Sequence, residues 1–341
     1  MKISEFKYNL TDDLIAKYPP KERGTSNLLV LDRENGNIEH RGYLNIPEYI
    51  KEGDIVVLNK TKVLSCRTYF LNSKGKRVEV LFLENRGKNQ WFCLIGRAKD
   101  VKSNELLFCN EFNILIDSRE DNGFLVTFVN GDAYALFEKY GHTPLPPYMR
   151  RDDESDDKER YNTVFSSTPG AVAAPTASLN LTNEILEDIK KRGARILEIE
   201  LRIGWGTFAP VREENIEDHK IHEEYIHVSK VVIDEINRCR GRVWAFGTTV
   251  ARALESCYSK KEGKLVEYKG LTNLYIYPGY EWKIVDVLVT NFHMPDSSLI
   301  LLVSSFGGKE NIKKGYNEAI DKGYKFLSYG DSMLIGSNLS K

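Results

Sequence analysis

The sequence has few cysteines, and the five it has lie far apart, at Cys66, Cys93, Cys109, Cys239 and Cys257. An odd number with no CxxC spacing argues against a disulfide framework or a cysteine-built zinc site and fits reduced thiols in cytosol. Long apolar runs are also missing. The longest wholly aliphatic stretch, Leu299–Val303, is far short of a membrane span. The opening MKISEFKYNLTDDLIAKYPP has no uninterrupted hydrophobic segment, so a signal peptide is not expected. Net charge is nearly absent: 48 basic against 49 acidic side chains give −1. Any nucleic-acid contact must therefore come from a local basic patch. No GxSxG, P-loop, GxGxxG strand unit or kinase signature occurs, which disfavours a serine hydrolase, an NTPase or a nicotinamide dehydrogenase. What is there, 341 residues with 41% apolar and 28% charged side chains, predicts a soluble cytoplasmic protein of two domains or one large one.

Short buried strands are predicted at Asn27–Asp32 and Asp54–Asn59, after a helix start capped by Thr11. Residues 60–145 change character. Arg77–Leu83, Trp91–Gly96, Glu105–Cys109, Phe112–Asp117 and Gly123–Val129 are strand-like runs divided by Gly, Asn and Lys turns, the pattern of a small β-barrel or sandwich. The prolines of Pro144–Tyr148 make a stiff connector. The charged run Arg150–Arg160 predicts an exposed mobile loop. Beyond it strands and helices alternate. Strands are predicted at Arg195–Ile203, Val243–Phe246, Leu274–Tyr277 and Ile284–Thr290, and helices at Asn183–Lys191, Thr249–Cys257 and Lys309–Lys322. The tail from Gly336 is expected to fray. The expected architecture is α/β multi-domain: a discontinuous large domain (1–59 and 146–341) interrupted by a small β-barrel domain (60–145).

Chemistry-bearing residues gather in four stretches. Ala174, Pro175, Thr176 and Ser178 precede a helix, and Gly204-Trp205-Gly206-Thr207 ends a strand. This pattern suits either an anion-attracting helix end with a ring over a flat ligand, or a packed turn with a core tryptophan. Asp218–Tyr225 packs two histidines among carboxylates. On a helix His219 and His222 would share a face, and general acid/base work, a metal site or an exposed polar turn all suit them. Gly247-Thr248-Thr249 follows a strand and opens a helix that either threonine could cap, with Arg252 in reach of an anion bound there. Asn291, His293 and Asp296 lie at a strand's carboxyl end, where α/β sheets bind ligands, although Asp296 or Ser297 could equally cap the next helix.

In these stretches the sequence resembles the S-adenosylmethionine:tRNA ribosyltransferase-isomerases of queuosine biosynthesis. The matching segments include LLVLDR (28–33), PLPPY (144–148), PGAVAAPTA (169–177), GWGTFAPV (204–211), DHKIHEEY (218–225), FGTTVARALES (246–256), the long run 277–308 and FLSYGDSMLI (326–335). They keep the family's order over nearly the whole chain. The resemblance implies an α/β domain carrying an inserted barrel. It also implies an enzyme that passes the ribosyl group of S-adenosylmethionine to 7-aminomethyl-7-deazaguanine in tRNA, giving epoxyqueuosine and releasing adenine and methionine. The donor is then a consumed substrate, with no other cofactor and no metal, and the expected state is a cytoplasmic monomer. By resemblance His219 or His222 is the base or acid, oriented by Glu224. Gly247, Thr248, Thr249 and Arg252 hold the methionine carboxylate. Thr176, Trp205 and Gly206 line the adenosine pocket, which His293 and Asp331 complete. Ala174, Pro175, Asn180, Arg202, Gly204 and Thr207 belong to the same substrate-binding set.

The chain departs from the family's usual pattern at Ser178 (glycine) and Asn180 (histidine), and again at Arg202 (histidine) and Ala209 (arginine). Asn27, Lys60, Lys62, Ser65 and Cys66 depart as well. An amide at Asn180 cannot carry a proton as imidazole does. The alternatives are a paralogue using the same donor chemistry on a small-molecule acceptor, and a non-catalytic nucleotide- or RNA-binding relative.

Overall fold

The computed structural model describes residues 1–120, 123–204 and 210–339. Among these residues the backbone is organised by a nine-stranded mixed sheet and a closed six-stranded antiparallel barrel.

Strand Ile55–Asn59 runs along the middle of the sheet, parallel to Arg195–Arg202 on one side and to Val243–Phe246 on the other. Val287–Asn291 follows in parallel, then Ser332–Gly336 antiparallel, then Asn27–Asp32 parallel to that strand, with Ile38–Gly42 at one edge. Toward the other edge Glu224–Val228 and Tyr268–Thr272 pair antiparallel. The aliphatic runs of the central strands are unbroken because both faces are covered. Leu29, Leu31, Ile55, Val57, Val243 and Ala245 point into one core. Their neighbours Leu28, Val30, Val56, Leu58, Trp244 and Phe246 point into the other. Helix Asn183–Lys191 covers the second face through Ile185, Leu186 and Ile189. Lys230–Asn237, Thr248–Ser256, Ser298–Gly307 and Lys309–Asp321 cover the first.

The barrel strands are Arg67–Leu71, Arg77–Gly87, Gln90–Ile95, Leu106–Cys109, Phe112–Glu120 and Gly123–Asn130. Alternate residues point inward, and Phe70, Phe82, Trp91 and Phe128 fill the interior. The sequence pattern does not reveal helix Ala133–Tyr140, which packs Phe137 against Phe82 and Trp91 with ring centroids 5.3 and 5.4 Å apart. Asp132 caps it, accepting from the N–H groups of Tyr134 and Ala135.

Several expectations need correction. Thr11 makes no side-chain cap; a 3-10 turn, Asp12–Leu14, stands there. Leu274–Tyr277 is not a strand; the edge position belongs to Tyr268–Thr272. The chain also forms an unexpected strand, Ser332–Gly336, before its tail, whereas helix Ser298–Gly307 is capped by one of the two expected residues, Ser297, which accepts from Ile300 N–H. The largest correction concerns Arg150–Arg160, where most side chains are exposed as expected but the segment is pinned by a buried carboxylate, Asp157. Arg151 reaches both carboxylate oxygens of Asp157 at 2.6 and 2.8 Å, and Asp157 is 2% exposed. The same carboxylate accepts from Glu154 N–H and from the Tyr329 hydroxyl, each at 2.8 Å. Charge density in sequence suggests solvation only when the charges lack a partner, and here the fork-shaped guanidinium supplies one.

Burial opposes ionisation of Asp157, but Arg151, Glu154 N–H and Tyr329 hold its carboxyl below the ordinary carboxylate range. A depressed folded-state pKa gives stability that is present above the unfolded value and lost as pH falls through the folded one. Asp157→Ala is expected to cost about 3–5 kcal/mol, because it leaves Arg151 half-buried without its partner. Urea unfolding against pH checks both points: the wild-type midpoint falls more steeply in acid than that of Asp157→Asn.

Candidate active site

Strand Val243–Phe246 ends at Gly247, whose φ of +108° turns the chain directly into helix Thr248–Ser256. A side chain at that φ is strained, which explains glycine there. Gly247 is itself the N-cap and offers no side-chain cap, so neither threonine caps the helix. Gly247 N–H donates to the Val289 carbonyl at 2.7 Å, which fixes the turn against the neighbouring strand. The first N–H groups of the helix have no intrahelical acceptor and attract negative charge.

Two cavities meet at Thr248 and Thr249. The smaller, about 270 Å3, is lined by Ala174, Pro175, Thr176, Gly247 and His293, with Tyr148 and Ser328 closing one side. The larger, about 910 Å3, is an open cleft between the sheet and the barrel. Its sheet-side wall carries Arg202, Gly204, His219, His222, Glu224 and Arg252. Pro147, from the stiff connector, lines both.

His293 is buried. Its Nε2 lies 2.8 Å from the Thr290 hydroxyl, its N–H donates to the Tyr316 hydroxyl at 3.1 Å, and its carbonyl accepts from Tyr8. Burial pushes the imidazole down to about 3, so it is neutral at working pH and serves as a hydrogen-bonding group. Tyr148 and Ser328 share a hydrogen bond at the mouth of the same cavity, and burial raises the tyrosine to about 12.

The histidine segment is not helical. A 3-10 turn, Ile216–Asp218, runs into an extended stretch and then the strand Glu224–Val228. The two imidazoles therefore do not share a helical face. His219 is mostly buried, packed edge-on to Tyr275, with its Nδ1 2.7 Å from Glu213. That hydrogen bond holds the Glu213 carboxyl below its usual range. His222 is exposed at the cleft rim. Glu224 does not orient either imidazole. It is buried at the start of its strand, accepts from Gly204 N–H at 3.3 Å and forms an ion pair with Arg252. Burial lowers the Arg252 guanidinium to about 10, and its charge is compensated by Glu224 rather than offered alone to a ligand.

Two expected residues lie apart from both cavities. Asn180 donates to the Gly330 carbonyl at 3.4 Å. Asp331 accepts from Asn27 N–H and Lys325 N–H, each at 2.7 Å, and so ties the first strand of the sheet to the C-terminal loop. Burial raises the Asp331 carboxyl in spite of these bonds. Arg202 is half exposed at the cleft, bonded to Glu200 at 2.7 Å and stacked on Tyr225 at 4.6 Å. Trp205, Gly206 and Thr207 lie outside the described residues, as does Ala209. Sequence reasoning missed Tyr148 and Ser328 as lining groups; the PLPPY stretch, read as a connector and a family match, was the available signal. Among the described residues no cluster of three or more His, Cys, Asp or Glu could hold a metal ion, and no helix is long and apolar enough to cross a membrane.

Comparison with known proteins agrees over the full chain. The family model described as "Queuosine biosynthesis protein" matches residues 3–335. The S-adenosylmethionine:tRNA ribosyltransferase-isomerase of Aquifex aeolicus is 41% identical over 339 residues, covering 98% of this chain and 100% of that protein. That of a Sulfurihydrogenibium species is 43% identical over 340 residues, with the same coverage. The crystal structure of S-adenosylmethionine tRNA ribosyltransferase from Thermotoga maritima superposes with a TM-score of 0.56 at 33% identity, covering 97% of this chain and 99% of that one.

Breaking the Glu224–Arg252 pair is expected to be costly, since Glu224→Ala leaves a buried guanidinium uncompensated. A loss of about 3–5 kcal/mol in urea unfolding is expected. Glu224→Gln keeps an acceptor for Gly204 N–H and loses less.

Proposed function

The chain belongs to the queuosine biosynthesis protein family, and from that membership we propose that it acts as an S-adenosylmethionine:tRNA ribosyltransferase-isomerase whose chemistry takes place where the two cavities join. The observation that carries this reading is the shared helix N-terminus at Thr248–Thr249, open to both a nucleoside-sized hollow and a cleft wide enough for a base on a nucleic-acid strand. The smaller cavity takes the adenosine, with Ala174, Pro175 and Thr176 against the ring system and neutral His293 as hydrogen-bonding partner. The helix N-terminus takes the methionine carboxylate. The aminomethyl base enters through the larger cleft, so the ribosyl carbon lies at the junction.

A sulfonium acidifies its neighbouring C–H bonds, so a base beside the cleft can start the rearrangement. His219, oriented by Glu213, is assigned that role, and His222 is the alternative at the rim. Arg252, paired with Glu224, anchors the helix to strand Glu224–Val228 beside the cleft. Trp205, Gly206 and Thr207 remain assigned to the donor pocket from the sequence alone. Asn180 and Asp331 are reassigned to holding the loops behind it. Because Asn180 bonds a backbone carbonyl away from both cavities, its departure from the family pattern carries no weight for a small-molecule acceptor. The same reading keeps the domain division at 1–59 and 146–341 with 60–145 inserted. It takes the enzyme to work as a cytoplasmic monomer without a resident metal or redox cofactor.

With tRNA carrying the aminomethyl base, mass spectrometry is expected to show adenine and methionine released from the donor in step with tRNA modification. No release by folded protein that binds the donor would contradict the reading. His219→Ala is expected to lower kcat by at least about 100-fold, the contribution typical of a positioned acid or base, while donor affinity measured by calorimetry is retained.

A further inference from the structure

The larger cleft is bounded on its far side by the outer wall of the barrel, and no step of the donor chemistry uses that wall. Its residues suit a different task. Phe92 points outward from strand Gln90–Ile95, and its ring lies across the backbone at Gly123, where a Cβ would fall 2.7 Å from a ring carbon. Glycine at 123 thus leaves room for the ring, which lines the cleft. Arg86 stands over the same ring, 5.9 Å from its centroid. Tyr134, at the start of the barrel's helix, is held edge-on by Trp91 and Phe137 at 5.9 and 6.2 Å, yet is 53% exposed. Across the cleft, the Arg202 guanidinium lies over Tyr225, 4.6 Å from its ring centroid, and Arg212 is exposed. A half-buried Phe92 and an exposed Tyr134, with arginines on both walls, form the pattern that grips unpaired nucleotides: bases stack on ring faces while guanidinium groups meet phosphates.

The geometry points to Phe92, Tyr134 and Arg86 as a stacking platform for the unpaired tRNA nucleotides flanking the modified base, with Arg202 and Arg212 facing the backbone from the opposite wall. The inference rests on the tRNA reading above and adds where the strand lies and what holds it. Arg86 and Arg202 are each oriented by an ion pair, to Glu84 at 2.9 Å and to Glu200 at 2.7 Å, while Arg212 stands exposed beside them. Local placement also explains why the barrel is inserted where it is. Strand Thr61–Val63 pairs with Thr168–Ala171, and the Thr61 hydroxyl donates to the Leu201 carbonyl at 3.1 Å, so the platform is fixed against the sheet carrying the donor site.

The test uses full-length protein, S-adenosylmethionine and a tRNA anticodon stem-loop carrying the aminomethyl base. Phe92→Ala and Tyr134→Ala are each expected to raise KM for the RNA about tenfold, with donor affinity by calorimetry at the wild-type value. Phe92→Tyr, which keeps a ring, restores binding. Arg86→Ala is expected to reduce the slope of log affinity against log salt by roughly 0.7. If wild-type protein turns over the stem-loop and the alanine variants match it in KM and salt slope, the platform is overturned while the function stands. If wild-type protein neither binds nor turns over the stem-loop, both readings fail.

Discussion

The positive φ of Gly247 sets the direction in which helix Thr248–Ser256 begins, and most of what surrounds the site follows from it. A strand that passes straight into a helix within one residue must reverse the chain sharply at its carboxyl end. The bond from Gly247 N–H to Val289 holds the turn, and both cavities are lined by Thr248 and Thr249 from the buried first turn of that helix. Electrostatically this end is positive without any side chain. Arg252, one turn further on, adds charge that could not stay buried alone, and Glu224 is the compensating group. The pair therefore couples helix Thr248–Ser256 to strand Glu224–Val228, and through Gly204 N–H to the end of strand Arg195–Arg202. Three elements that are distant in sequence are bound together at the cleft.

The barrel matters because of where it is anchored. Its aromatic interior, with Phe82 at the centre of contacts to Phe70, Trp91, Phe128 and Phe137, makes a rigid body from a short stretch of chain. The stiff Pro144–Tyr148 connector leaves that body and supplies Pro147 to both cavities and Tyr148 to the smaller one. The barrel wall and the sheet together line the cleft.

Strong local signals were legible in the sequence. Helix Asn183–Lys191 and strand Val243–Phe246 match their predicted limits, because each combines clear periodicity with a sharp boundary, Thr182 and Gly193 for one and Gly247 for the other. The inserted barrel was legible from its turns. Long-range pairing was not. Arg150–Arg160 resembles a solvated run until Tyr329 and the paired Arg151–Asp157 are brought together in space. Glu224 lies in sequence beside two histidines, yet strand pairing turns it toward Arg252, while His219 finds Glu213 on the other side of a turn. Asp331 looks like a ligand-binding carboxylate by position, but three backbone and side-chain donors already occupy it. Charged residues in a site-rich sequence are thus poorly assigned until their partners are known, whereas glycine turns reveal themselves locally.

The claim that the two cavities meet at a single reaction centre is tested most directly by a crystal structure with S-adenosylmethionine bound. The account predicts adenosine in the hollow beside Thr176 and His293, the carboxylate on the N–H groups that open helix Thr248–Ser256, and the ribose facing the cleft. Donor density confined to any other surface, with that hollow unoccupied, would contradict it.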